Sequence, residues 1–156
     1  MTLPRVFRPA LVLALPLLAI STAPAPADET LSGPVPAMVL RVIDGDTIVV
    51  RARIWLGQTV ETNVRIAGID TPELRGDCDA ERAMAERARE LLIGLIGEDG
   101  VALRDIQYGT FAGRVVARVE TADGDVTRPL IDAGLGRPYN GRGARPDWCD
   151  VAALPR

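Results

Sequence analysis

Apolar and polar positions follow a strand period up to about residue 73 and a helical one from Asp79. Met38 to Ile43 and Thr47 to Ile54 are β-rich runs joined by Asp44-Gly45-Asp46, where a glycine can take the positive φ that a tight turn demands. After a turn at Leu56-Gly57-Gln58, Val60 to Ile69 returns as a third strand, which predicts an antiparallel meander. Its far half does not alternate. Ile66 to Ile69 is apolar on both faces, as in a strand covered on both sides, and Pro72 lacks the N–H that a ladder needs. Charge is confined to the two ends, with Arg65 before the apolar run and Asp70 and Glu73 after it. Arg65 and Asp70 are five residues apart, an odd spacing that puts them on opposite faces of a regular strand. They share a site only if the chain bends between them, and Gly68 is the place for the bend.

Beyond Asp79, a plausible N-cap, Met84, Ala88, Leu91, Leu92 and Leu95 recur at helical spacing. Glu81, Arg82, Glu86, Arg87, Arg89 and Glu90 fall on the other side, which reads as a solvated face. Gly97 and Asp99-Gly100 end this helix, and Val101 to Ile106 and Gly113 to Glu120 read as strands four and five. Ala122 to Asp125 is a loop, Thr127 caps a short helix that stops at Gly134, and Gly136 to Arg156 reads as mostly irregular. Three strands, a long helix, two strands and a short helix predict a β-barrel with helices, an α+β fold. The expected form is a five-stranded barrel of the oligonucleotide-binding type, with the long helix plugging one end.

The beginning of the chain reads differently. Arg5 and Arg8 precede an apolar run from Pro9 to Ile20, and Ala25-Pro26-Ala27 offers a small-x-small cleavage site, so residues 1–27 read as a secretory signal. A run of 12 residues broken by Pro16 is short of the roughly 20 needed to span a bilayer. The expected mature chain begins at Asp28, in the periplasm or outside the cell, with no stable membrane association. Residues 28–36 then form a flexible leader, 37–149 a single domain and 150–156 a tail. Two cysteines in a secreted chain predict a disulfide between Cys78 and Cys149.

Composition narrows the chemistry. The chain has no histidine, and its 18 basic residues are all arginine. Histidine-based acid–base catalysis and histidine zinc sites are therefore excluded, and two cysteines cannot make a four-cysteine site. Carboxylates remain as metal ligands, which favours a hard, oxygen-loving ion. Loss of the signal removes two arginines and no acid, taking the net charge from −3 to −5, which disfavours indiscriminate polyanion binding.

Val42-Ile43-Asp44-Gly45-Asp46-Thr47, followed by Arg65-Ile66-Ala67-Gly68-Ile69-Asp70-Thr71-Pro72-Glu73, resembles the signature of the thermonuclease family, the staphylococcal-nuclease-like domains. Ala112 to Ala117 and Leu130 to Tyr139 resemble its later blocks, so the likeness spans roughly Ala37 to Tyr139. What the resemblance implies is a monomeric, calcium-dependent nuclease that hydrolyses the phosphodiester bonds of DNA or RNA. By position, Asp46, Asp70 and the Thr71 carbonyl would be metal ligands, with Asp44 supporting them. Glu73 would be the general base, and Arg65 and Arg114 the phosphate clamps.

Where the family often carries Asp-Lys-Tyr-Gly-Arg before strand five, this chain has Tyr108-Gly109-Thr110-Phe111-Ala112-Gly113-Arg114. The candidates for stacking a substrate base become Tyr108, Phe111 or Tyr139. Arg118, four residues beyond Arg114, lies about 13 Å further along the strand and cannot serve the same phosphate. A catalytically silent nucleic-acid-binding barrel is the alternative, and an oligosaccharide- or protein-binding barrel is a third that leaves the carboxylates unexplained.

Overall fold

A computed structural model describes residues 29–110, 113–145 and 147–152. The expected signal segment and Phe111 lie outside these residues. The elements in order are β1 (Thr30–Leu31), β2 (Val35–Val42), β3 (Thr47–Trp55), β4 (Gln58–Ile66), β5 (Gly68–Asp70), α1 (Asp79–Ile96), β6 (Val101–Tyr108), β7 (Arg114–Thr121), β8 (Gly124–Asp125), α2 (Thr127–Asp132), β9 (Arg137–Tyr139) and α3 (Trp148–Ala152). The meander β2–β3–β4 is antiparallel, β4 pairs β7 in parallel, and β7 returns through β6 to β2, closing a five-stranded barrel. A parallel pair needs a long crossover, and the segment carrying α1 and β6 supplies it. The expected barrel with helices is what forms.

Closure requires strands to bend, and ladder shifts occur between Val39 and Arg41 in β2 and between Arg104 and Gln107 in β6. Within the second shift Asp105 takes φ 51°, its N–H donating to the Ser32 carbonyl and its carboxylate accepting from Arg118. Ile48, Val50, Val64, Ile66, Leu103, Ala117 and Val119 fill the barrel, and α1 adds Met84, Ala88, Leu92 and Ile96 to the same core. The period expected of the long helix is therefore the one it uses, with Leu91 and Leu95 partly buried at its margin.

Several local expectations are corrected. The stretch 28–36, expected as a leader without structure, has paired backbone: Thr30 and Leu31 join β6, as do Val35 and Pro36. Cys78, not Asp79, is the N-cap of α1, its sulfur accepting from the Glu81 N–H at 3.4 Å. Val126 precedes α2, and Asp125 does the capping work, taking both the N–H and the hydroxyl of Thr127. Gly136 onward is less irregular than expected, since it contains β9 and a third helix, α3. The third strand ends at Ile66; Ala67 turns, Gly68 takes φ +86°, and β5 continues in a separate two-stranded sheet with β9. Gly45 adopts no positive φ. It is glycine because a Cβ there would lie 2.7 Å from the Ala88 Cβ and 2.9 Å from Thr71.

Cys78 and Cys149 form a disulfide with a Cα–Cα distance of 6.0 Å, which ties α3 to the start of α1. It closes a span of 71 residues, for which the chain-entropy relation gives up to about 4 kcal/mol. Thiol titration of the unreduced protein should find no free thiol, and reduction should lower the melting temperature. Two titratable thiols, or melting unchanged by reduction, would contradict this.

Candidate active site

The bend at Ala67 and Gly68 brings opposite-facing residues of one chain segment together. Thr47 stands opposite Arg65 across the β3–β4 ladder, so Asp46, one residue earlier, lies beside the arginine, and the Ile66 N–H donates to the Asp46 carbonyl at 2.7 Å. Asp70 ends β5 opposite Arg137 of β9 and returns to the same arginine from the other side. Arg65 donates through Nη1 to Asp46 Oδ1 and through Nη2 to Asp70 Oδ1, the latter at 3.1 Å. Both carboxylates are fully buried. The planar fork is what lets one cation serve two acids.

Asp46 is held from every side. Its Oδ2 accepts the Thr71 N–H and hydroxyl, both at 3.0 Å, and its Oδ1 also accepts the Thr47 hydroxyl at 3.1 Å. Asp44 sits behind it, with Oδ1 accepting the Asp46 N–H at 3.0 Å. Burial pushes the Asp46 carboxyl up to about 7; the Arg65 charge opposes the rise and Asp44 adds to it.

Asp70 carries two partners that the motifs do not contain. Arg145 donates through Nε to Asp70 Oδ1 at 2.6 Å, and the Trp148 indole N–H donates to Asp70 Oδ2 at 3.1 Å. The same guanidinium meets Glu73 Oε1 at 2.6 Å and the Thr71 carbonyl at 3.5 Å. Burial acts to lower the Arg145 pKa, but its bonds to Glu73 and Asp70 outweigh that and raise it, so its charge is permanent. Arg137 stacks over the far face of this corner, its Cζ 5.6 Å from the centre of the Trp148 ring.

Glu81 departs from its expected place. Expected on a solvated face, it is buried and points back under the loop that carries Glu73. Its oxygens accept the N–H of Glu73 at 3.2 Å and of Asp77 at 3.0 Å. Gly76 leaves it room, since a Cβ there would overlap the Glu81 carboxylate. Arg82 and Arg89 are likewise engaged, donating to the Gly76 and Val42 carbonyls.

A cleft of about 640 Å³ opens over these groups, with Arg65, Glu73, Arg114, Tyr139 and Arg145 on its wall. Of the stacking candidates, Tyr139 lines the cleft, whereas Tyr108 is exposed at the end of β6 and belongs to a separate depression with Leu31 and Ile106. Arg118 is occupied elsewhere, by Asp105 at 2.9 Å and Glu120 at 3.9 Å.

Asp46, Asp70, Glu73 and the Thr71 carbonyl form an all-oxygen set, which suits a hard cation, and the guanidiniums already lodged among them show that the pocket accepts positive charge. Among the described residues, the one trio of Cys or acidic side chains whose ligand atoms all lie within 4.8 Å of one another is Cys78, Glu81 and Cys149, and its two sulfurs are joined to each other and cannot act as thiolate ligands. No helix of the described residues is long and apolar enough to cross a membrane. No protein-family model matches the chain, and no curated protein matches it.

Removing the acceptor beneath the Glu73 loop should have a local signature. Glu81→Ala leaves two part-buried N–H groups without it, at a cost of about 2 kcal/mol, and should speed amide exchange at Glu73 and Asp77. Unchanged exchange at both amides would show that the loop is held by something else.

Proposed function

We propose that the chain is a metal-dependent nuclease that hydrolyses phosphodiester bonds of DNA or RNA, secreted or periplasmic once the signal segment is removed. The observation that carries this reading is the convergence of Asp46, Asp70, Thr71 and Glu73 at one barrel end, under a cleft whose wall also holds Arg65 and Arg114. A silent nucleic-acid-binding barrel has no use for a carboxylate of this kind beside a pair of buried acids. The likeness of the Asp44–Asp46 and Arg65–Glu73 motifs to thermonucleases points the same way.

Asp46, Asp70 and the Thr71 carbonyl would hold a calcium ion, which when bound supplies Lewis-acid polarisation of a phosphoryl oxygen. The chain's own groups do the rest. Glu73, partly exposed to the cleft, would orient a water and take its proton as the new O–P bond forms and the bond from phosphorus to the departing sugar oxygen breaks. Arg65 and Arg114, both on the cleft wall, would stabilise the negative charge that develops on the phosphate oxygens. Tyr139 offers a face against which a base can stack.

The test is cleavage of single-stranded DNA and RNA by the purified mature chain with calcium or with excess chelator. Cleavage should require calcium, and full turnover in chelator would contradict the proposal. Glu73→Gln should keep the fold and substrate affinity while lowering turnover by about two to four orders of magnitude. In the same assay Arg114→Ala should lose roughly a hundredfold or more and Arg118→Ala little, since Arg118 is paired with Asp105 away from the cleft. The reverse order would move the clamp to Arg118.

A further inference from the structure

Arg145 lies outside every motif that suggested the nuclease, yet it holds three groups assigned to the ion and the base. Its guanidinium meets Asp70 Oδ1 at 2.6 Å, Glu73 Oε1 at 2.6 Å and the Thr71 carbonyl at 3.5 Å. We propose that Arg145 is a tethered internal cation that occupies the seat of the divalent ion, so that docking of Arg145 and binding of the ion exclude each other. The proposal rests on the reading of Asp46, Asp70 and Thr71 as cation ligands.

The exclusion follows from the oxygens. Asp70 already has Arg65 and Arg145 on Oδ1 and the Trp148 indole on Oδ2, so a third cation at Oδ1 must replace one of the two guanidiniums there. Arg65 is the costlier one to move, because it alone among the described cations pairs Asp46 as well. Arg145 is the one free to leave: its side chain is 42% exposed, against 18% for Arg65. A guanidinium and a divalent ion sharing the same oxygens would also repel each other.

The anchoring of the backbone on both sides makes the exchange reversible. Tyr139 pairs Gly68 upstream, and Trp148 and Cys149 are fixed downstream to Asp70 and Cys78. An arginine released from the site therefore stays close, at high effective concentration, and returns when the ion leaves. While docked it also neutralises Glu73, so the base is engaged until the seat is filled. Apparent ion affinity is reduced in proportion to the fraction of molecules in which Arg145 has swung out.

The test is binding, not turnover. Calcium titration by calorimetry, with the intact mature chain, should give a dissociation constant at least about tenfold lower for Arg145→Gln than for the native protein. Terbium luminescence in a Trp55→Phe background, sensitised by Trp148 beside Asp70, should show the same shift. In the native protein, calcium should also abolish the slow exchange of the Arg145 Nε proton that its bond to Asp70 confers, a measurement that needs no variant at position 145. Equal calcium affinity in the two proteins, or an Arg145 proton that stays protected at saturating calcium, would overturn the proposal and leave the ion site standing. Absence of calcium binding in both would overturn the ion site and the proposal together.

Discussion

Asp46 and Asp70 are two carboxylates buried away from solvent, and the barrel end is organised around keeping them there. Removing such groups from solvent costs several kcal/mol each unless every lone pair meets a donor. Arg65 meets both, the two Thr71 donors and the Thr47 hydroxyl complete Asp46, and Arg145 and the Trp148 indole add to Asp70. None of these partners is close in sequence to all the others, so the carboxylates draw β3, β4, β5 and α3 to a single point. The bend at Gly68 and the missing Cβ at Gly45 are the backbone features that let the elements approach so closely.

A second layer of polar contacts holds the loop between β5 and α1. Glu81 reaches back from the first turn of the helix to two loop amides, Arg82 takes the Gly76 carbonyl, and the disulfide presses α3 against the same corner. Glu73 is consequently presented to the cleft by a scaffolded loop. This matters for the proposed role of Glu73 as a general base, which depends on holding a water within hydrogen-bond reach of one oxygen. Rigidity at this corner and partial exposure of Glu73 are compatible because the support comes from below the loop, through its backbone.

Much of this was legible in residue patterns, for identifiable reasons. The odd spacing of Arg65 and Asp70 demanded a bend, and Gly68 provides it. The 3.6-residue period of Met84, Ala88 and Leu92 sufficed for α1 because the core it meets is a simple apolar surface. Glu81 was misread since periodicity treats every charged residue near a helix start as solvated; its burial depends on a loop that folds over it and on Gly76 leaving space. Arg145 was invisible to motif spacing, being 75 residues from Asp70. A signal for it did exist: Cys78 lies five residues after Glu73, and Arg145 lies four before Cys149, so the expected disulfide already implied that the arginine and the acid are neighbours. The short strands β1 and β9 have no such signal, because two or three residues carry no readable period.

The central claim is that the acids around Arg65 form a seat for a hard cation beneath a cleft of about 640 Å³. A crystal structure of the mature protein grown with calcium and a mononucleotide tests that claim most directly. The account predicts one ion bonded to Asp46, Asp70 and the Thr71 carbonyl, a nucleotide phosphate against Arg65 and Arg114, and Arg145 turned away from Asp70. A structure at saturating calcium in which Arg145 still spans Asp70 and Glu73, with no ion between the acids and the phosphate bound elsewhere, would contradict it.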